Sequence, residues 1–261
     1  MTPAWVILGD TLKDFVEEVI KEAGEIISQK YTQTFKVQAK GSRDVVTEVD
    51  KSVEKFISQK IKEKFPEHAI LGEESGKYGE SDSLWIIDPL DGTKNFVTHT
   101  PFFNIAIAYL EKGEPVLAMV YNPITKELFY AEKGKGALLN GESIHVSETD
   151  KLLDSSVYFC RGLTEKALER SAKFYSKLIK ETRSLRQMGS AELELCYVAA
   201  GRIEAFYISD LHIWDAAAGW LIVKEAGGKV TNFKDEPFSL SDIDILASNN
   251  KIHKELLENL K

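Results

Sequence analysis

The chain has 261 residues, 43% hydrophobic and 28% charged, enough apolar material for a large globular core. Its formal net charge of −8 argues against a general polyanion-binding surface and against nucleic acid as the main partner. The two cysteines, Cys160 and Cys196, form no CxxC pair, which excludes a disulfide framework and a zinc knuckle.

The opening residues carry a short apolar run at 5–8 but neither the basic leader nor the cleavage site of a signal peptide. No run approaches the roughly 20 apolar residues of a membrane span. The expectation is a cytoplasmic protein with no membrane partner. Without low-complexity linkers, charge blocks or internal repeats, the chain reads as one domain over 1–261. Its N-terminal α+β half covers about 1–150 and its C-terminal α/β half about 151–261.

In chain order, Leu12, Phe15, Val16, Val19, Ile20, Ala23, Ile26 and Ile27 recur at helical spacing and predict a helix from Thr11 onward. Thr11 and Asp14 resemble a capping box. A second helix is predicted over 47–65, burying Val49, Val53, Phe56, Ile57 and Ile61, and ended by Pro66. Thr47 is its expected N-cap, which puts Asp50 in the first turn. The period then changes. Strands are predicted at 69–71, 84–87, 104–110, 116–121, 128–131 and 137–139, with turns at Lys112-Gly113, Asn122-Pro123, 134–136 and Asn140-Gly141. This is a run of antiparallel hairpins rather than a βαβ repeat. The last third predicts strand 156–160, helix 165–179, helix 190–200 stopped by Gly201 and strand 203–208. Helix 214–226 closed by Gly227-Gly228, strand 244–247 and helix 252–260 follow. Helices around two groups of strands point to layered α and β elements.

Three segments place carboxylates where an apolar element stops: Gly72-Glu73-Glu74-Ser75, the run from Trp85 through Asp88-Pro89-Leu90-Asp91-Gly92-Thr93, and Trp214-Asp215. Asp88 is expected at the end of strand 84–87, with Pro89 barring a further ladder bond. Asp91 follows closely enough for the two carboxylates to converge, and the Leu90 carbonyl between them is a further oxygen donor. Hard divalent cations prefer such donors. Gly92 and Thr93 then start a short helix, whose free N–H groups suit phosphate. Taken singly, each segment also reads blandly, as a capped turn, a solvated loop or a helix cap. Together, with no basic partner nearby in sequence, they are harder to explain that way. Two carboxylates about 4 Å apart repel by roughly 4 kcal/mol at an effective dielectric near 20. Four in one place need a metal, protonation or a gap.

On these motifs, with Glu225-Ala226-Gly227-Gly228 downstream, the sequence resembles the inositol monophosphatase family over nearly its whole length. The resemblance implies a layered αβαβα sandwich of the α+β class and a homodimer. It implies two or three Mg²⁺ ions, with Glu73, Asp88 and the Leu90 carbonyl at one and Asp88, Asp91 and Asp215 at another. A third, weaker ion would sit near Glu73. Asp50 and Thr93 would orient and deprotonate the attacking water, with no covalent enzyme intermediate. Gly92 and Thr93 would cradle the phosphate beside Asp91 and Asp215, and Gly189, Ser190 and Ala191 would line the sugar site. Lys40 falls on what resembles a mobile loop. His212 is read as structural, because the implied metals already cover the leaving oxygen. The implied activity is a magnesium-dependent phosphomonoesterase for inositol monophosphate and related small sugar or polyol phosphates. The alternatives are a fructose-1,6-bisphosphatase, a nucleotide 3′-phosphatase, for which no adenine pocket is identifiable, and a non-enzymatic regulator of the same fold. One departure stands out. Inositol-specific members carry a glutamate seven residues before the Trp-Asp aspartate, and here that position is Ile208, with Asp210 the nearest acid.

Overall fold

A computed structural model describes residues 4–41 and 43–260. The N-terminal part contains α1 (Ala4–Tyr31), β1 (Val37–Ala39), β2 (Val45–Thr47), α2 (Glu48–Lys64), β3 (Ala69–Gly72), β4 (Gly76–Tyr78), β5 (Ser83–Asp91) and α3 (Thr93–Val97). It continues through β6 (Asn104–Glu111), β7 (Glu114–Asn122), β8 (Glu127–Glu132), β9 (Ala137–Leu139) and β10 (Glu142–Ile144). The remainder holds β11 (Ser156–Cys160), α4 (Glu165–Glu181), β12 (Ser184–Arg186), α5 (Ala191–Ala199) and β13 (Ala205–Ser209). After a short 3₁₀ turn, Ile213–Asp215, come α6 (Ala217–Glu225), β14 (Lys229–Thr231), β15 (Asp244–Ser248) and α7 (His253–Asn259).

Eight strands form one sheet in the order β10-β9-β8-β7-β6-β5-β3-β4, antiparallel except for the β3–β5 pair. Five form a second, β12-β11-β13-β15-β14, in which β11 runs parallel to both its neighbours. α1 and α2 cover one face of the large sheet. Their buried stripes, Val16, Val19, Ile20, Ala23 and Ile27 with Val49, Val53, Ile57 and Ile61, meet Trp85, Ile87, Ile105 and Ile107 from the sheet. α5 and α6 lie between the sheets in a core that draws on both. α4 and α7 cover the far face of the small sheet, over Val157, Phe159, Tyr207 and Leu246. The layers are therefore α, β, α, β, α, as expected. A helix between two sheets must be apolar all round. α5 and α6 meet that demand, apart from the buried acids Glu192 and Glu194 of α5 and from Lys224 and Glu225 at the end of α6.

Three local expectations change. The helix expected from Trp214 begins at Ala217, because Ala216 at φ −145° separates it from the 3₁₀ turn that holds Trp214 and Asp215. α1 begins at Ala4 rather than at Thr11: no proline interrupts the stretch, so nothing local stops the helix there. The side chains of residues 1–11, including Thr11 and the run at 5–8, lie outside the described residues. β5 does not end at Asp88 but continues past Pro89 to Asp91. Thr47, by contrast, is the N-cap of α2 in a complete capping box with Asp50. No described helix is long and apolar enough to cross a membrane.

His253, at the start of α7, is 1% exposed and held between Ser248 Oγ (2.8 Å) and Thr231 Oγ1 (3.0 Å). Burial, then the nearby Lys229 charge, lower its pKa from 6.5 to about 4, against the pull of Asp235. The folded protein keeps this ring neutral while the unfolded chain takes up a proton below about 6.5. Its contribution to stability is therefore lost as pH falls from about 6.5 to about 4. His253→Gln is expected to flatten the fall of Tm across that window, as read by thermal melts at fixed ionic strength.

Candidate active site

The centre of the site is an irregularity in β5. Asp88 pairs with Ala106 and Asp91 with Asn104, so β5 spans three residues where β6 spans two. In a regular strand, residues three apart point to opposite faces. The extra residue cancels that and turns both carboxylates into one cleft, which they line together. Pro89 sits in the bulge, where its missing N–H costs no ladder bond. Immediately after it, Gly92 adopts φ +87°, and a Cβ there would meet the Phe102 carbonyl oxygen at 3.0 Å. Only glycine satisfies both demands.

The cleft has a volume of about 620 Å³. Glu73, Asp88, Leu90, Asp91, Gly92, Thr93, Gly189, Ala191 and Asp215 all line it. The structure thus gathers residues from the turn after β3, the end of β5, the start of α3, the start of α5 and the turn before α6. Burial raises the pKa of all four acids: Asp88 well above the carboxylate range, Asp91 upward, Glu73 to about 7 and Asp215 to about 8. Neighbouring carboxylates push Asp88 and Asp215 further the same way. Each acid has its own donor. Asp88 Oδ1 accepts from the Leu90 N–H (3.0 Å), Asp215 Oδ2 from the His212 N–H (2.7 Å) and Glu73 Oε1 from Lys40 Nζ (2.9 Å). Asp91 accepts from Ser190 Oγ (2.7 Å), Asn104 Nδ2 (2.7 Å) and the N–H groups of Ala191 (3.1 Å) and Glu192 (2.9 Å), so it also caps α5.

Asp50 is buried beside this cleft. Its Oδ2 accepts from the Thr47 N–H (2.8 Å) and hydroxyl, and its Oδ1 accepts from the Thr93 hydroxyl at 3.0 Å. That hydroxyl lies equally close, 3.0 Å, to the Leu90 carbonyl oxygen. Burial raises the Asp50 pKa against the opposing effect of these hydrogen bonds. Asp50 and Thr93, 43 residues apart, are therefore a hydrogen-bonded pair at the cleft edge.

Ser190 departs from expectation. It is fully buried, and its hydroxyl donates to Asp91 and accepts from Asn104 Nδ2 (2.9 Å). It supports the cleft from beneath while its neighbours Gly189 and Ala191 line the surface. The reason is positional: as N-cap of α5 it sits directly under the bulged end of β5. Ile208 lines the cleft, as does Asp210. Asp210 Oδ2, however, is engaged by the N–H groups of Leu163 (3.2 Å) and Thr164 (2.9 Å). His212 is exposed, lines the cleft and stacks on Trp214 with ring centroids 4.8 Å apart.

Sequence reasoning missed Asn104 and Glu192. Asn104 opens an otherwise apolar strand, and Glu192 interrupts an apolar helix. Glu192 is fully buried and accepts from the N–H groups of Ala218 (3.0 Å) and Gly219 (2.6 Å), fixing the start of the helix that follows Asp215. A polar residue inside an apolar element was the available signal.

Among the described residues, no three acidic, histidine or cysteine side chains converge on one point. The donor set nevertheless fits a hard divalent cation. Every candidate ligand is an oxygen, the other acids of the cleft push Asp88 and Asp215 upward, and Lys40 is bonded to Glu73. Glu73, Asp88, Asp91, Asp215 and the Leu90 carbonyl are the residues that would hold it.

Residues 9–261 match the model of the inositol monophosphatase family. The chain is 39% identical over 246 residues to the fructose-1,6-bisphosphatase/inositol-1-monophosphatase of Thermotoga maritima, covering 94% of each chain. It is 40% identical over 248 residues to the Nus factor SuhB of Escherichia coli K12, covering 92% of each. Its fold superposes on a Thermotoga maritima IMPase with a TM-score of 0.89, at 38% identity over 96% of both chains. The αβαβα sandwich is thus the fold of this family, and the protein is a hydrolase of phosphate esters. From the bulged β5 to the match over nearly its full length, this chain belongs to the inositol monophosphatase family.

Proposed function

We propose that the protein is a magnesium-dependent phosphomonoesterase that hydrolyses inositol monophosphate and related small sugar or polyol phosphates by direct attack of water. The observation that carries this reading is the Asp50–Thr93 pair, held at 3.0 Å on the rim of a cleft lined by four acids. Bound magnesium, as two or three ions, would supply Lewis acidity at the phosphate and lower the pKa of the attacking water. Ionised Asp50 takes the Thr93 hydroxyl proton as a hydrogen bond, which leaves the Thr93 oxygen free to accept from that water. Its raised pKa makes Asp50 a better proton acceptor than an exposed aspartate. The first N–H groups of α3, at Gly92 and Thr93, face the phosphate. Gly189 and Ala191 border the polyol, and Ile208 offers its hydroxyls no acceptor. The reading includes a cytoplasmic homodimer, for which sedimentation is the test.

The experiment is phosphate release from inositol 1-phosphate, fructose 1,6-bisphosphate and glycerol 2-phosphate. A site that pairs every hydroxyl rejects analogues lacking one. With Ile208 in the cleft, that penalty is absent at this position, and Asp210 gives one of its two oxygens to backbone N–H groups. The expected result is kcat/KM values within about 10³-fold of one another, little changed in Asp210→Ala. A larger preference for inositol 1-phosphate that Asp210→Ala erases would make Asp210 the acceptor. The relative named for both activities favours fructose 1,6-bisphosphate as the alternative main substrate. The relatives named Nus factor SuhB favour a second reading, a regulatory role on the same fold. A salt-dependent RNA shift with the phosphatase-dead protein tests it.

A further inference from the structure

Glu54 is an acid that the mechanism leaves without a task. It lies on α2 one turn after Asp50, on the same side of the helix, and is 2% exposed. Among the described residues, no basic side chain is bonded to its carboxylate. Instead, Oε2 accepts from the N–H of Glu74 (2.8 Å) and Oε1 from the N–H of Ser75 (2.7 Å). Both oxygens thus grip two consecutive backbone amides immediately after Glu73. The approach is close enough to dictate the neighbouring residue: a Cβ on Gly72 would lie 2.5 Å from Glu54 Cδ. A second buried acid, Glu192, grips the consecutive amides of Ala218 and Gly219 just after Asp215. The same device recurs at another acid of the cleft.

We propose that Glu54 is a positioning residue: its buried carboxylate clamps the turn at 73–75 and sets where Glu73 presents its own carboxylate to a divalent cation. The proposal rests on the metal-dependent reading above. Its physical content is rigidity. A turn bounded by Gly72 and Gly76 has little stiffness of its own. Two charge-assisted N–H···O bonds from a helix anchor it. Because Asp50 and Glu54 share one helix, α2 fixes the spacing between the Asp50–Thr93 pair and Glu73. The clamp holds the backbone only: the Glu73 side chain already lines the cleft, where Lys40 is bonded to it.

The test uses the full-length protein, as wild type, Glu54→Gln and Gly72→Ala. Gln keeps the shape but sets an amide N–H₂ against a backbone N–H. Alanine at 72 pushes on the clamp from the other side. Two midpoints are read for each protein against Mg²⁺ concentration: that of the melting temperature and that of activity. Substrate KM is measured at saturating Mg²⁺. Both variants are expected to shift both Mg²⁺ midpoints upward by on the order of 10–100-fold. At saturating Mg²⁺, KM should be unchanged and kcat should recover. A Mg²⁺ midpoint within about twofold of wild type, with only the melting temperature lowered, overturns the proposal and leaves Glu54 a structural acid. Should neither variant fold, amide hydrogen exchange on the wild type decides. The Glu74 and Ser75 amides are expected to exchange slowly, and exchange at the rate of an open turn overturns the clamp. If the wild type itself does not respond to Mg²⁺, the metal-dependent reading fails, and the exchange measurement still judges the clamp.

Discussion

Replacing Thr93 by alanine is expected to lower kcat by about 10²–10⁴-fold, the range for a lost acid–base contribution, and Asp50→Asn should do the same. The argument runs through one hydrogen bond. The Thr93 hydroxyl has a single proton and two acceptors at 3.0 Å, Asp50 Oδ1 and the Leu90 carbonyl. Ionised Asp50 wins that competition, because a charged acceptor makes the stronger bond. Asparagine at position 50 removes the charge, so the proton has less reason to point away from the cleft. Alanine at position 93 removes the oxygen altogether. Because the two act as a unit, Asp50→Asn combined with Thr93→Ala should cost little more than either alone. The competing view holds that Asp50 only caps α2. It predicts a lower Tm, by the loss of a cap worth about 1 kcal/mol, with kcat intact. Measuring kcat and Tm together on the same variants separates the two. Near-normal kcat in both would remove the pair from the mechanism.

Magnesium is expected to raise the melting temperature of the wild type, and Asp88→Asn should abolish most of that rise. At 100 times Kd the stabilisation is about 2.7 kcal/mol, on the order of 5–10 °C for a chain of this size. The expectation follows from the state of the acids. Burial raises Asp88, Asp91, Glu73 and Asp215 together, so each is destabilising in its charged form. A carboxyl raised in the fold destabilises as pH climbs from its unfolded value toward its folded one. For Asp215 that window closes near pH 8. A divalent cation offsets the repulsion, whereas Asp88→Asn removes one of its sources. The variant should therefore be at least as stable as wild type in a chelator and respond weakly to the ion. A magnesium response equal to that of wild type would show that Asp88 is not a ligand.

Much of the fold was legible because its elements carry their own periodicity. The strand at 137–139 and the strand at 156–160 match β9 and β11 residue for residue. Thr47 identified itself as a cap because capping is local chemistry, decided within one helical turn. Short strands escaped the reading. β1, β2, β4, β10, β12 and β14 have three residues each, too few for an alternation to repeat, whereas β9, equally short, was marked by the glycine turns on either side of it. α1 was read too short because a helix start without a required breaker leaves no local mark.

For the site, the sequence by itself determined which chemistry is available. Acids, a carbonyl and a glycine in Asp88-Pro89-Leu90-Asp91-Gly92-Thr93 already specify oxygen donors followed by the start of a helix. Only the tertiary structure decided how they are used. The bulge that turns Asp88 and Asp91 to one side exists only against β6, since a register shift belongs to a pair of strands. Ser190 was expected at the sugar and instead holds Asp91 from 99 residues away. Glu54 and Glu192 read as ordinary helix acids until folding brings backbone amides against their carboxylates. Residue type is a property of the chain, so ligand chemistry can be read along it. A buried carboxylate's partner is chosen by packing, because burial without a donor is too costly to leave unmet, and the nearest donor in space is seldom the nearest in sequence.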